Sequence, residues 1–129
     1  FDLDEALKIR MYPDEKPTDM DYTLYPEGLY RAIKEISVLN KPIIITENGV
    51  ADAKDEFRGE FIKKYLYAVS KAIKDGYDVR GYHYWSLMDN FEWDLGHDKR
   101  FGLYEVDFKT QERTLREGSK EYQRIVREN

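Results

Sequence analysis

Two stretches of this 129-residue chain hold side chains whose types and spacing could do chemistry. The first is Pro42-Ile43-Ile44-Ile45-Thr46-Glu47-Asn48-Gly49. Three consecutive β-branched isoleucines after a proline predict a short strand buried on both faces, as parallel α/β sheets use. The run stops at a carboxylate, an amide and a glycine. Carboxyl ends of strands build the active sites of α/β barrels, so Glu47 is the first candidate for a catalytic group. The second stretch is Trp85-Ser86-Leu87-Met88-Asp89-Asn90-Phe91-Glu92-Trp93, which contains both tryptophans of the chain and a carboxylate beside the second. Apolar ring faces flanked by acidic acceptors suit a carbohydrate, whose C–H faces stack on indole while its hydroxyls need carboxylate or amide partners. Polar groups left unpaired in such a site cost about 1–3 kcal/mol each, which makes it selective.

Each of these residues has a plainer reading. Glu47 could cap a following helix or loop. Trp85 and Trp93 could be core aromatics, the usual fate of tryptophan, and Glu92 could be surface charge. His83 reads as a hydrogen-bonded interior residue and His97 as a loop residue near the cleft. A metal held by Glu47, His83 and Asp89 is possible by residue type, but no paired-ligand spacing such as His-x-His supports it. Neither a metal nor a cofactor is therefore expected.

The elements that must position these residues follow from pattern. Residues 1–25 read as a loop-rich lead-in, with one helical turn near Asp4-Glu5-Ala6-Leu7. Pro26-Glu27-Gly28 opens a helix, proline in the first turn and glutamate at the positive dipole end. Leu29, Ile33 and Ile36 line its inner face, and Asn40 and Pro42 end it before a strand at 43–46. A second helix is predicted over 56–75 from Phe57, Phe61, Tyr65, Val69 and Ala72, with Gly76 as its left-handed stop. Residues 79–86 alternate as a strand, placing Gly81, His83 and Trp85 on one face and Tyr82 and Tyr84 on the other. After a loop over 87–101, an extended segment at 101–108 closes with a turn at Lys109-Thr110. A last helix at 117–127 buries Tyr122, Ile125 and Val126.

Helix, strand, helix, strand, helix is the pattern of a parallel α/β sheet. Two strands cannot close a barrel, and a complete (β/α)8 barrel needs about 250 residues. The expectation is the last third to half of one.

Composition excludes several partners. The charged fraction is 36% with a net charge of -5 and no long single-sign run, which argues against nucleic acid or an anionic membrane. No apolar stretch approaches the roughly 18 residues of a membrane span. Phe1-Asp2-Leu3-Asp4 has neither the basic nor the apolar segment of a signal peptide. The absence of cysteine removes disulfides, thiolate metal sites and a cysteine nucleophile, and suits a reducing, cytoplasmic compartment.

Four motifs in order, Tyr25-Pro26-Glu27-Gly28-Leu29-Tyr30, Thr46-Glu47-Asn48-Gly49, the tract Trp85 to Trp93, and Arg100-Phe101-Gly102-Leu103 with Val106-Asp107, resemble the C-terminal part of family 1 glycoside hydrolases, the retaining β-glucosidases and β-galactosidases. The resemblance runs from about Thr18 to Val126. It implies that residues 1–129 are the C-terminal part of a single (β/α)8 TIM barrel domain, carrying strands 7 and 8 with their flanking helices. It implies Glu47 as the nucleophile at the end of strand 7, Trp85 as the stacking platform, Glu92 as acceptor from the sugar 4- and 6-hydroxyls, and Trp93 as donor to the 3-hydroxyl. Two places depart from the family: Asp21-Tyr22-Thr23-Leu24 where it commonly has Gly-Trp-Glu, and His97 where it often has tyrosine. The family's acid/base glutamate sits in an Asn-Glu-Pro motif, and no such tripeptide occurs here. The expected partners are thus a β-glycoside and a remaining barrel segment, from upstream residues or a complementary chain. The rival expectation is a non-catalytic sugar-binding or structural barrel fragment.

Overall fold

The computed structural model describes residues 17–128. In order they form α1 (Pro26–Ile36), a 3-10 turn (Ser37–Leu39), β1 (Ile43–Asn48), α2 (Arg58–Lys74), β2 (Val79–Tyr84), a second 3-10 turn (Trp93–Leu95), β3 (Tyr104–Val106), β4 (Arg113–Leu115) and α3 (Lys120–Glu128). The helical turn expected at residues 4–7 lies outside the described residues.

β1 and β2 pair in parallel, Ile43 against Val79, Ile44 against Gly81, Ile45 against Tyr82 and Asn48 against Tyr84. One face of this pair carries a core in which Ile45 packs with Ile33 of α1 and Val69 and Ala72 of α2. A second core joins Phe61, Ile62 and Tyr65 of α2 to Val50 and Leu103, with Tyr84, Tyr122 and Ile125 against it. The opposite face is bare. Ile44 lies over Gly81, which leaves it room, and is 56% exposed. His83 is exposed on β2. The expectation of a strand buried on both faces is therefore corrected: among the described residues the core covers only the Ile45 side, so every second apolar side chain faces solvent.

Local chemistry sets the boundaries. α1 starts at Pro26, Ile33 is its one fully buried residue, and Ile36 is 51% exposed instead of lining the core. Asn40, left-handed at φ 51°, ends the following turn. α2 begins at Arg58, not 56, because the Asp52 carboxylate accepts the N–H groups of Glu56 (3.0 Å), Phe57 (2.7 Å) and Arg58 (2.8 Å), satisfying the orphan donors of its first turn. It ends where the N–H of Gly76, at φ 97°, donates to the Ile73 carbonyl and the Tyr77 N–H donates to the Ala72 carbonyl, the pair of hydrogen bonds that a glycine after a helix permits.

β2 ends at Tyr84, two residues earlier than expected. Trp85 still donates to the Asn48 carbonyl (3.0 Å), but Ser86 and Leu103 then bond to each other's segment, Ser86 N–H to Phe101 (3.4 Å) and Leu103 N–H to Ser86 (2.8 Å). The Trp85-Ser86 peptide is cis. The extended region shrinks to β3, which pairs antiparallel with β4, a strand the pattern did not predict because it is only three residues long. Its turn is pinned by Asp107, whose carboxylate accepts from Lys109 (2.8 Å) and Thr110 (3.2 Å). These donors hold the Asp107 carboxyl below the usual carboxylate range. α3 half-buries Tyr122 and Ile125, whereas Val126 is 61% exposed, against expectation.

Candidate active site

The site assembles at the carboxyl ends of β1 and β2, where three segments converge: 18–22, the loop after β1, and the loop after β2. Glu47 is the last acidic residue of β1 and is exposed. A register irregularity between Ile45 and Asn48 sets its direction. Strict alternation puts Glu47 on the core side. Instead the Asn48 amide oxygen takes the Tyr82 hydroxyl (2.9 Å), on the side where Ile45 and Tyr82 pack, and Glu47 is exposed. No hydrogen bond or ion pair engages its carboxylate among the described residues, so it caps nothing there.

Trp85 is brought to the same place. Its N–H bonds to Asn48, and its carbonyl fits against Gly49 so closely that a Cβ on Gly49 would sit 1.6 Å from the oxygen. The glycine of the first motif is therefore what lets the second motif approach. Glu92 and Trp93 stand further out, on the 3-10 turn, where Glu92 N–H bonds Gly96 (2.7 Å) and Leu95 N–H bonds Glu92 (2.8 Å). Trp93 is 79% exposed and is not packed as a core aromatic. Glu92 also bears on the 18–22 segment: burial raises the Tyr22 hydroxyl above its ordinary value, with smaller contributions from Tyr65, Tyr84 and the Glu92 charge. Of the two histidines, His83 is exposed, and His97 lies between Phe91, edge-on at 5.3 Å between centroids, and Phe108, tilted at 4.1 Å.

Two buried ion clusters hold these loops. Asp89, 3% exposed, receives Gly102 N–H (2.9 Å), Val106 N–H (3.3 Å), Arg116 (2.8 Å) and Arg100 (3.4 Å). Its oxygens are spent on the loop that carries Glu92 and Trp93, a structural use in place of metal ligation. Gly102 fits because a Cβ would meet the Asp89 nitrogen at 2.2 Å. Arg58 is fully buried and spans both loops: Nε pairs with Asp55 (2.9 Å), and the two Nη atoms donate to the carbonyls of Val50, Asp52, Arg100 and Phe101 and to the Tyr84 hydroxyl. Breaking a buried pair of this kind costs about 3–5 kcal/mol. The sequence reading missed Arg58. Its signal was present, since Arg58 falls on the apolar stripe of Phe61, Tyr65, Val69 and Ala72, where a cation needs a buried partner set.

The comparisons agree with this geometry. The family description Glycosyl hydrolase family 1 matches residues 3–129. A β-galactosidase of Pyrococcus woesei is 49% identical over 107 residues, which are 82% of this chain but 21% of the relative. Among solved structures, a β-glycosidase from Pyrococcus horikoshii superposes with a TM-score of 0.87 at 48% identity, covering 93% of this chain and 28% of that one. A β-glucosidase from Thermotoga maritima in complex with cyclophellitol does so at 0.84 and 34% identity, covering 92% and 30%. The structural relatives are TIM-barrel β-glycosidases, and the described α/β unit is a fragment of that architecture. No helix among the described residues is long and apolar enough to cross a membrane. With residues 3–129 matched by one family description, this chain belongs to glycosyl hydrolase family 1.

Proposed function

We propose that this chain supplies the C-terminal portion, strands 7 and 8, of a retaining β-glycosidase, with β1 and β2 as those strands and Glu47 as the nucleophile. The observation that carries the reading is the placement of Glu47: an exposed carboxylate with no partner among the described residues, at the end of a parallel strand and next to Asn48, whose carbonyl takes the Trp85 N–H. The names of its relatives, a β-galactosidase, a β-glycosidase and a β-glucosidase, support β-linked glucosides or similar sugars as substrates.

Glu47 attacks the anomeric carbon while an acid on the far side of the glycosidic bond protonates the leaving oxygen. Retention needs these two carboxyl groups about 5–5.5 Å apart. The second lies outside this chain, on the remaining barrel segment, and after departure of the aglycone it deprotonates the water that releases the glycosyl ester from Glu47. Trp85 stacks on the sugar, Glu92 accepts from its 4- and 6-hydroxyls, and the Trp93 indole N–H donates to the 3-hydroxyl. Without the acid, about 10²–10⁴-fold in rate is forfeited, so this chain alone is a poor catalyst.

Chemical rescue tests the assignment. In the complete barrel, Glu47→Gly abolishes hydrolysis of an activated aryl glucoside, and added azide restores turnover by occupying the vacated space as the nucleophile. Near wild-type activity in Glu47→Gly, or no rescue by azide in a folded variant, overturns it. An assembled protein that binds glucoside but never hydrolyses it supports the non-catalytic reading.

A further inference from the structure

Among the described residues Arg58 makes the most side-chain hydrogen bonds, and it is fully buried. Its acceptors are not scattered. Val50 and Asp52 lie three and five residues beyond Glu47, and Tyr84 immediately precedes Trp85. The Arg100 and Phe101 carbonyls close the loop that carries Glu92 and Trp93, and the Phe101 oxygen is shared with the Ser86 N–H. One planar, permanently charged guanidinium therefore ties the backbone just after the carboxylate to the backbone that closes the second loop and, through the Tyr84 hydroxyl, to the strand end that precedes the indole platform. Other links between the same strand ends and loops are the Trp85 N–H bond to the Asn48 carbonyl, the Tyr82 hydroxyl on the Asn48 amide, the Asp52 N–H on the Arg100 carbonyl and the fit of Gly49 on the Trp85 carbonyl, and none of them reaches as many segments at once as Arg58.

We infer that Arg58 is a positioning residue of the glycosidase reaction, setting the placement of the Glu47 carboxylate relative to the Trp85 platform through the loop backbones it bonds. The inference rests on the function proposed above. Lysine cannot replace it, because a single ammonium offers three donors where the guanidinium uses all of its N–H groups across five residues' carbonyls and hydroxyl and the Asp55 carboxylate. A shift near 1 Å in such a placement costs about 10²-fold in rate even when the changed residue never touches substrate.

The test uses the complete protein, with an aryl glucoside as substrate and free glucose as the reversible ligand. Arg58→Lys lowers kcat about 10²-fold, while KM and the glucose inhibition constant move by no more than about threefold, because the glycone contacts belong to other residues. Guanidinium ion added to Arg58→Ala recovers part of kcat. Tyr84→Phe, which deletes one of the Arg58 acceptors and keeps the ring in its core, lowers kcat about three- to tenfold. A purely structural Arg58 gives a lower melting temperature with wild-type kcat below the transition, and that result overturns the inference. If the Arg58 variants do not fold, Tyr84→Phe decides: wild-type kcat in that folded variant overturns it as well. Failure of the underlying function looks different, since the wild-type protein would then hydrolyse no glucoside, whatever stands at position 58.

Discussion

At the scale of single residues, the side chains assigned to the sugar are predicted to contribute unequally. On the proposed assignment, Glu92→Ala removes charge-assisted hydrogen bonds to two hydroxyls, about 1.5–3 kcal/mol each, whereas Trp93→Phe removes one neutral bond nearer 1 kcal/mol. The larger fall in kcat/KM for a glucoside thus belongs to Glu92→Ala, and steady-state kinetics on the complete protein checks it. Equal, negligible effects would return Glu92 to surface charge. Gly49 makes a structural prediction of the same directness. A methyl group there meets the Trp85 carbonyl at 1.6 Å, and the obstacle is backbone that cannot rotate away. Gly49→Ala is expected to cost at least about 3 kcal/mol, the upper end for overpacking, read as a lowered melting temperature. The sequence could nominate Glu47, Trp85, Glu92 and Trp93 because a carboxylate ending an apolar run and two indoles within nine residues are conspicuous. Arg58 showed only as a cation on an apolar stripe, and neither its partners nor those of Asp89 were legible, because they are carbonyls, amides and guanidinium groups far away in sequence.

At the scale of elements, Tyr82 and Tyr84 join β2 to the helices, and burial raises the hydroxyls of both above their ordinary value near 10. A folded state that prefers the neutral phenol keeps its full stability below pH of about 10 and loses it as pH rises toward the higher folded-state values. These two tyrosines are accordingly expected to ionise together with alkaline unfolding. Absorbance at the phenolate band, followed beside far-ultraviolet circular dichroism, checks this. Titration of every tyrosine ahead of any loss of helix would contradict it. The helices and parallel strands could be predicted from period and punctuation, as Phe61, Tyr65, Val69, Ala72 and Gly76 illustrate for α2. The misjudged places share one cause. Ile36, Ile44 and Val126 are apolar by type, but which face a neighbour covers is decided by tertiary packing, and local pattern cannot supply it. β4 escaped because a three-residue strand holds too few side chains to display alternation.

At the scale of the molecule, the chain spans about a fifth of the curated relative it matches, and its two parallel strands present an open face with Ile44 exposed. Protein consisting of residues 1–129 alone is therefore expected to associate through sheet edges and apolar surface. Sedimentation velocity should show species heavier than the 15.4 kDa monomer, and mixing with the remaining barrel segment should replace them with a defined complex that hydrolyses aryl glucosides. The central claim is that Glu47 forms a covalent bond to the sugar. The most direct measurement is to treat the complete protein with a 2-deoxy-2-fluoro glucoside bearing a good leaving group, digest it, and map the adduct by mass spectrometry. The account predicts one fluoroglucosyl group on the peptide containing Glu47, attached at that carboxylate and absent from Glu47→Gln. An active protein that carries the label on any other residue, or turns over substrate without ever being labelled, would contradict it.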